Sequence, residues 1–318
     1  MIEKMLHQSE KMEFGAPKAA LVDRLAYDIR SEIKAGGSAA PLLEDLLNAV
    51  RCGDFRLPIL PESVTRVMHL INRSDADIGA IALAVELDPT LAVKVVGVAN
   101  SVYYGGVQPA DSVRNALMRM GLAQARNVVV AVALRSSLFR VSGYASEMQS
   151  IWLHSLFCAL TCDAILEEVP PFQDAGFLLG LSHDVGRIAV LSFVSEMRLS
   201  AAPGLGPSTD IIDRVSSRVH ERLGAIAVES WGFSAEFTEA IGHHHDPDKV
   251  SGHGIVLARA LAAGDILADR IGGTSDGAAE LLCEKEREAL ECVGVEGDAG
   301  IELVGCVRDR FEALSKMV

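Results

Sequence analysis

Six of the nine histidines in this 318-residue chain fall between residues 150 and 250: His154, His183, His220, His243, His244 and His245. Most lie in apolar surroundings, as IWLHSLF, LGLSHDVG, SRVHERLGA and AIGHHHDP show. Two aspartates join them: Asp184 directly after His183, and Asp265 within ALAAGDILA. Burying a carboxylate is costly unless it is paired, hydrogen-bonded or metal-bound. Neutral imidazole suits iron, nickel, copper and zinc, and carboxylates widen the range to manganese and magnesium. Helices of a bundle can each aim one or two such side chains at a common point. A carboxylate beside a histidine can bridge two ions, and two-metal sites suit phosphoester cleavage.

Successive residues on a helix are about 100° apart, at roughly 3.6 per turn. A third histidine in a row therefore points away from a site served by the first two, so at most two of His243, His244 and His245 are expected to be ligands. His7, His69 and His253 carry no such pattern and are expected to be ordinary core or surface histidines. Asp269, one turn after Asp265, is expected to be solvated. The HD dipeptide alone is a weak signal; its order among the other histidines carries the argument.

The elements that must position these residues are helical. Apolar residues recur at i, i+3, i+4 and i+7, as with Val64, Val67, Met68 and Ile71 in LPESVTRVMHLI. Asp88 and Ser112 stand at expected N-caps, with Pro89 in a first turn. VVVAVAL has β-propensity, but its polar flanks at helical distances favour a buried helix. QSIWLHSLFCALTCDAILEEV, DIIDRVSSRVHERLGAIAVESWGF, SAEFTEAIGHHH and GIVLARALAAGDILADRIGG complete the histidine-bearing half. The expected fold is all-α, a bundle of roughly a dozen helices in two packed lobes. Its divisions are an N-terminal helical extension (1–54), an N-terminal lobe (55–140), a histidine-bearing lobe (141–270) and C-terminal helices (271–318). Leu281, Leu282, Val304 and Leu314 of the tail suit packing on the core or on a second copy.

Hydrophobic residues make up 49% of the chain and aromatics 5%, with mean hydropathy +0.26, so the core is built of aliphatic side chains rather than rings. The net charge of −14 repels phosphate backbones and argues against nucleic-acid binding, though not against a local anion site. Six cysteines without a CxxC pair read as free thiols, and Cys158 and Cys162 share one helix face. No leader-like segment opens the chain, and no apolar run approaches the ~20 residues of a membrane span. The expectation is a cytoplasmic protein that binds neither membrane nor nucleic acid.

The order His154, His183–Asp184, Asp265 resembles the H…HD…D ligand pattern of the HD phosphohydrolase superfamily. LPILPESVTRVMHLI, DPTLAVKVVGVANSVYYG and SVRNALMRMGLAQARNVVV narrow the resemblance to the HDOD domain of bacterial signalling proteins. AGFLLGLSHDVGRIAVL and HERLGAIAVESWGFSAEFTEAIGHHHDP continue it, over residues 55–270. The resemblance implies a metal site of His154, His183, Asp184 and Asp265. It adds His220, His244 and His245 by similarity to the extra histidines of HD-GYP phosphodiesterases, with His243 the alternate.

Two departures stand out. The GYP signature is absent, and Arg187 replaces the lysine that often follows the HD and glycine. Arginine holds a phosphate bidentately but does not give up a proton at ordinary pH. The resemblance thus implies a regulatory module with a divalent metal centre, one or two ions of iron, manganese, zinc or nickel. Its expected partners are another signalling protein and a phosphate-bearing small ligand. The alternative is a metal-dependent phosphohydrolase acting on a nucleotide or cyclic dinucleotide, with Asp184 bridging the ions and Arg187 steadying the phosphate.

Overall fold

Capping residues divide the chain as their chemistry dictates. The Asp88 carboxylate accepts the backbone N–H groups of Thr90 and Leu91 at 3.0 and 3.1 Å, with Pro89 in the first turn behind it. Ser112 and Ser234 cap in the same way, accepting from Asn115 and Phe237. Ser208 stands at its N-cap without a side-chain bond.

A computed structural model describes residues 19–60, 65–67, 70, 77–101, 104–105, 108–200, 206–272 and 282–316. His7, Val64, Met68, His69, Ile71 and Leu281 lie outside the described residues. Within them the chain forms fourteen α-helices and no strand. These are α1 (Ala19–Ala35), α2 (Ala40–Cys52), α3 (Ile78–Glu86), α4 (Pro89–Ala99), α5 (Val113–Met120), α6 (Leu122–Ser137) and α7 (Ala145–Leu166). They continue with α8 (Gly176–Ser182), α9 (Val185–Ser200), α10 (Thr209–Ser230), α11 (Ala235–Gly242), α12 (Gly254–Ala268), α13 (Glu284–Glu291) and α14 (Asp298–Ser315). VVVAVAL lies in α6 and is buried there, as its polar flanks predict.

One apolar cluster runs from Leu25 in α1 to Leu314 in α14. Helix α7 is its axis: α8, α12 and α14 all pack against it, while α9 packs on α10 and α10 on α11. The N-terminal extension is tied to α10, where Arg222 pairs with Asp28 at 3.1 Å and Arg218 pairs with Glu32. At the other end, Arg310 of α14 reaches Asp163 of α7 at 2.8 Å, and Phe311 meets Phe157 edge to face. Leu282, Val304 and Leu314 of the tail are buried on this core.

Two expectations need correction. Ala145–Leu166 and Gly176–Leu199 are long and apolar enough to cross a membrane by length and composition, yet 61% and 78% of their apolar windows are buried inside the protein. Their apolarity serves the core. Helix α11 also stops at Gly242, so His243, His244 and His245 lie in the turn beyond it and not on the helix. His243 takes φ −144° and ψ 26°, outside the helical region, which ends the helix before Pro247.

Candidate metal centre

Two close backbone approaches set the centre. Gly180 lies so near α7 that a Cβ there would stand 2.5 Å from Ala159 Cα. Gly186 lies so near α10 that its Cβ would stand 2.0 Å from the His220 carbonyl oxygen and 2.8 Å from the Gly224 nitrogen. The turn between α8 and α9 is thereby held between α7 and α10. That turn is His183–Asp184.

Three histidines then use one local device. The Nδ1–H of His183 donates to the Gly180 carbonyl at 2.7 Å, that of His220 to Ser216 at 2.9 Å, and that of His244 to Ile241 at 2.8 Å. A carbonyl only accepts, so each ring carries its proton on Nδ1, and in the neutral ring Nε2 presents a lone pair. Metal-ligating histidines are commonly oriented by such a bond from the other ring nitrogen.

The Nε2 atoms converge. His220 Nε2 lies 3.3 Å from His244 Nε2 and 3.0 Å from His245 Nε2. His183 Nε2 is fully buried and has no hydrogen-bond partner; Asp265 Oδ1 and Asp184 Oδ2 are 3.4 and 3.6 Å away. His154 Nε2 meets Asp265 Oδ1 at 2.9 Å, and His245 Nδ1 lies 3.4 Å from Asp265 Oδ2. The Asp184 carboxylate spans the two groups: Oδ2 is on the His183 side, while Oδ1 lies 3.7 Å from His220 Nε2 and 2.9 Å from Arg187 Nε. Three sets have donor atoms within 4.8 Å of one another: His154–His183–Asp265, His183–Asp184–His244 and His220–His244–His245.

Electrostatics follow from this packing. Burial opposes a charge on His183, but Asp184 and Asp265 outweigh it and raise its pKa to about 9. Burial would raise the two carboxylates; instead His183 and Arg187 hold Asp184, and His154 and His183 hold Asp265, well below the ordinary carboxylate range. His220 is lowered by burial, only partly offset by Asp184, to about 4. Burial and the neighbouring histidines push His244 well below its usual value. With Nδ1 protonated on both rings, neutral His220 and His244 turn Nε2 lone pairs toward each other at 3.3 Å, an arrangement that a cation relieves.

All seven side chains expected at the site, His154, His183, Asp184, His220, His244, His245 and Asp265, are brought together. Arg187 stands beside Asp184. His243 points elsewhere, its Nε2 3.2 Å from Arg222 Nη1. Asp269 is exposed, 3.9 Å from His154 Nδ1, and His253 lies at the start of α12. Sequence reasoning missed Glu221, whose Oε1 accepts the His245 N–H at 3.1 Å and fixes the turn. Its place directly after His220 was the available signal. Arg259 and Lys285 were missed as well. With Pro247 and Cys292, they line a cavity of about 360 Å3 bordered by His244, His245 and Asp265.

Comparison with known proteins shows the family and the fold. A family model described as HDOD domain matches residues 57–247, more than half of the chain. An uncharacterized protein of Treponema pallidum (strain Nichols) is 20% identical over 196 residues, 60% of this chain and 38% of that protein; the chain thus spans well under half of that relative's length. Among solved structures, an HDOD domain protein of unknown function from Geobacter sulfurreducens superposes with TM-score 0.60 at 19% identity, covering 93% of this chain and 97% of that one. A Shewanella amazonensis SB2B protein, provisionally named a metal-dependent phosphohydrolase, gives TM-score 0.59 at 21% identity over 86% of this chain and 99% of its own. A Marinobacter aquaeolei VT8 protein, provisionally named a signal transduction protein, gives 0.59 at 25% identity over 82% and 59%.

Proposed function

This chain belongs to the HDOD domain family, and from that premise we propose that it is a cytoplasmic signalling module whose histidine-bearing half binds two divalent cations on either side of Asp184. The observation that carries the metal reading is the facing pair of His220 and His244 Nε2 lone pairs at 3.3 Å. The buried His183 Nε2 without a hydrogen bond supports it. His154, His183, Asp184 and Asp265 would hold one ion; Asp184, His220, His244 and His245 would hold the other. Mixed imidazole and carboxylate donors suit iron, manganese, zinc or nickel. The donors come from α7, α10, α12 and the turns after α8 and α11, so bound ions would couple the packing of all these segments. A ligand at the centre shifts that packing only through unequal affinity for two arrangements. The partner on this reading is another signalling protein.

Hydrolysis is the second reading, favoured by Arg187. Its Nε is held by Asp184, while its outer nitrogens make no hydrogen bond among the described residues. They belong to a side chain lining a second cavity of about 300 Å3 with Ser150, Asp213 and Ser216. Divalent cations, when bound, supply Lewis acidity and activate water for attack on a phosphoryl group. Arg187 would orient and neutralise a phosphoryl oxygen, and Asp184 would fix the guanidinium. At this position arginine supplies charge but no proton.

The test is reconstitution of the purified protein with Mn2+ or Fe2+, elemental analysis, and assay on bis(p-nitrophenyl) phosphate. Two equivalents of metal without turnover is the result expected of the signalling module. Metal-dependent turnover abolished by Asp184→Ala would establish the hydrolase. A protein that holds no metal after reconstitution would overturn both.

A further inference from the structure

Three cations gather where the end of α6 meets α4 and α7, and no carboxylate answers them. Lys94 of α4 donates from Nζ to Ser136 Oγ of α6 at 3.1 Å. Arg135, the residue before Ser136, lies over the Trp152 ring of α7 at 5.3 Å and donates to Gln149 Oε1 on the same helix. Phe139, one turn after Arg135, meets that Trp152 ring edge to face at 5.1 Å, which places Arg140 beside it at the rim. None of Lys94, Arg135 and Arg140 forms an ion pair among the described residues, although the chain holds 43 acidic residues against 29 lysines and arginines. Glu147, on the same turn of α7 as Gln149, accepts instead from Ser146 Oγ at 2.7 Å and lines the Arg187 cavity.

The cluster is held in place and most of its donors are unused. Lys94 and Arg135 are half-buried and Arg140 is exposed, so the group opens to solvent. An ammonium has three N–H donors and a guanidinium five. Lys94 and Arg135 donate to a hydroxyl and an amide, neutral groups that leave both charges standing. Arg140 makes no hydrogen bond among the described residues. Burial, then Arg140 and Arg135, push the Lys94 pKa below its ordinary value, and burial and Arg140 do the same to Arg135, as uncompensated like charges must. Trp152, 1% exposed, holds the Arg135 guanidinium from below, and its own Nε1–H has no acceptor. A carboxylate would bring one negative charge here. A phosphate group brings about 1.5 to 2 at pH 7, with three acceptor oxygens. Arginine grips phosphate bidentately, and lysine binds it as a point charge.

We propose that Lys94, Arg135 and Arg140 form a phosphate-group site at the junction of α4, α6 and α7, separate from the metal centre. The site does not rest on the metal reading. It grips the helix that carries a metal-site histidine, because Gln149 and Trp152 precede His154 on α7. The phosphate is either free or borne on a phosphorylated side chain of a partner, and the experiment separates the two.

The experiment titrates the full chain, in phosphate-free buffer, with inorganic phosphate, with a phosphoserine peptide of uncharged flanks, and with succinate. Calorimetry on the unmodified chain gives the affinities. The chain has two tryptophans, so in a Trp231→Phe background the emission of Trp152, beneath Arg135, reports the site. Phosphate is expected to change that emission. Lys94→Gln and Arg140→Gln, which leave Arg135 on its ring, are each expected to weaken phosphate binding about tenfold or more, the scale of one charge-assisted contact. Arg30→Gln, at an exposed position of α1, is expected to bind as the wild type does. Without phosphate, Lys94→Gln is expected to melt no lower than the wild type, because it removes a repelled cation and keeps a donor for Ser136. Tighter binding of inorganic phosphate supports the site with a free phosphate as its ligand; tighter binding of the peptide supports it with a phosphorylated partner. If neither binds better than succinate, or if Lys94→Gln and Arg140→Gln bind phosphate as tightly as the wild type, the proposal is overturned and the metal reading stands.

Discussion

Gly186→Ala tests whether backbone contact between α9 and α10 sets the centre. An added Cβ would stand 2.0 Å from the His220 carbonyl oxygen, where ordinary contact begins at 3.4 Å. The obstacle is backbone on both sides, so no side chain can swing away. Helices α9 and α10 must part locally by about 1.4 Å, and close-packed interiors do not absorb such a shift without loss. Overpacking of this kind costs about 1–3 kcal/mol, occasionally more. At about 2–4 °C per kcal/mol, the melting temperature is expected to fall by about 2–12 °C. The displacement falls on both sides of the site, since Asp184 lies two residues before Gly186 and His220 carries the obstructing carbonyl. Metal affinity is expected to drop about 10–100-fold, the scale seen when the supports of metal ligands are disturbed. Gly305→Ala is the control: it lies inside α14 with nothing within 4 Å of a built Cβ. That change is expected to stabilise by about 0.5–1 kcal/mol through helix propensity. Thermal unfolding and metal titration of the two variants together read the result. A Gly186→Ala protein with wild-type melting temperature and metal affinity would refute the reasoning.

Asp184→Ala is expected to abolish binding of both ions, because its two oxygens serve both histidine groups; Asp269→Ala is expected to retain them, as elemental analysis of the two proteins would show. His244→Ala is expected to lose metal while His243→Ala keeps it, because His243 contacts Arg222 and not the centre; equal losses would contradict the assignment. With a pKa of about 9, His183 must release a proton before its Nε2 can bind a cation. Apparent metal affinity should therefore rise about tenfold per pH unit below that value, then level off, in titrations across pH 6 to 10. For the metal-free protein the sign is opposite: a pKa raised above 6.5 gives stability present in full below 6.5 and lost as pH rises through about 9, visible as a falling melting temperature.

Much of this arrangement was legible in the sequence because helices advertise themselves by period and cap. Asp88, Ser112 and Ser234 cap as their side chains dictate, and the polar flanks of VVVAVAL marked it as helix. That buried histidines and aspartates must share partners was legible from their apolar surroundings, while the choice of the seven that converge came from family likeness. Which histidine of the cluster turns away was read from family likeness. The physical reason is the turn after Gly242, which helix geometry could not supply. Glu221, Lys285 and Arg259 were missed because their roles depend on contacts between segments far apart in the chain. The apolar lengths of α7 and of α8–α9 were underestimated because the polar residues within them, among them His154 and the His183–Asp184 pair, interrupt runs that the core nevertheless buries.

Metal content after reconstitution tests the central claim most directly. Inductively coupled plasma analysis of the full chain, loaded with Mn2+ or Fe2+ and desalted, is expected to give two equivalents per chain, and none for Asp184→Ala. A wild-type protein that emerges metal-free would mean that the seven converging side chains are a self-satisfied polar core and not a metal centre.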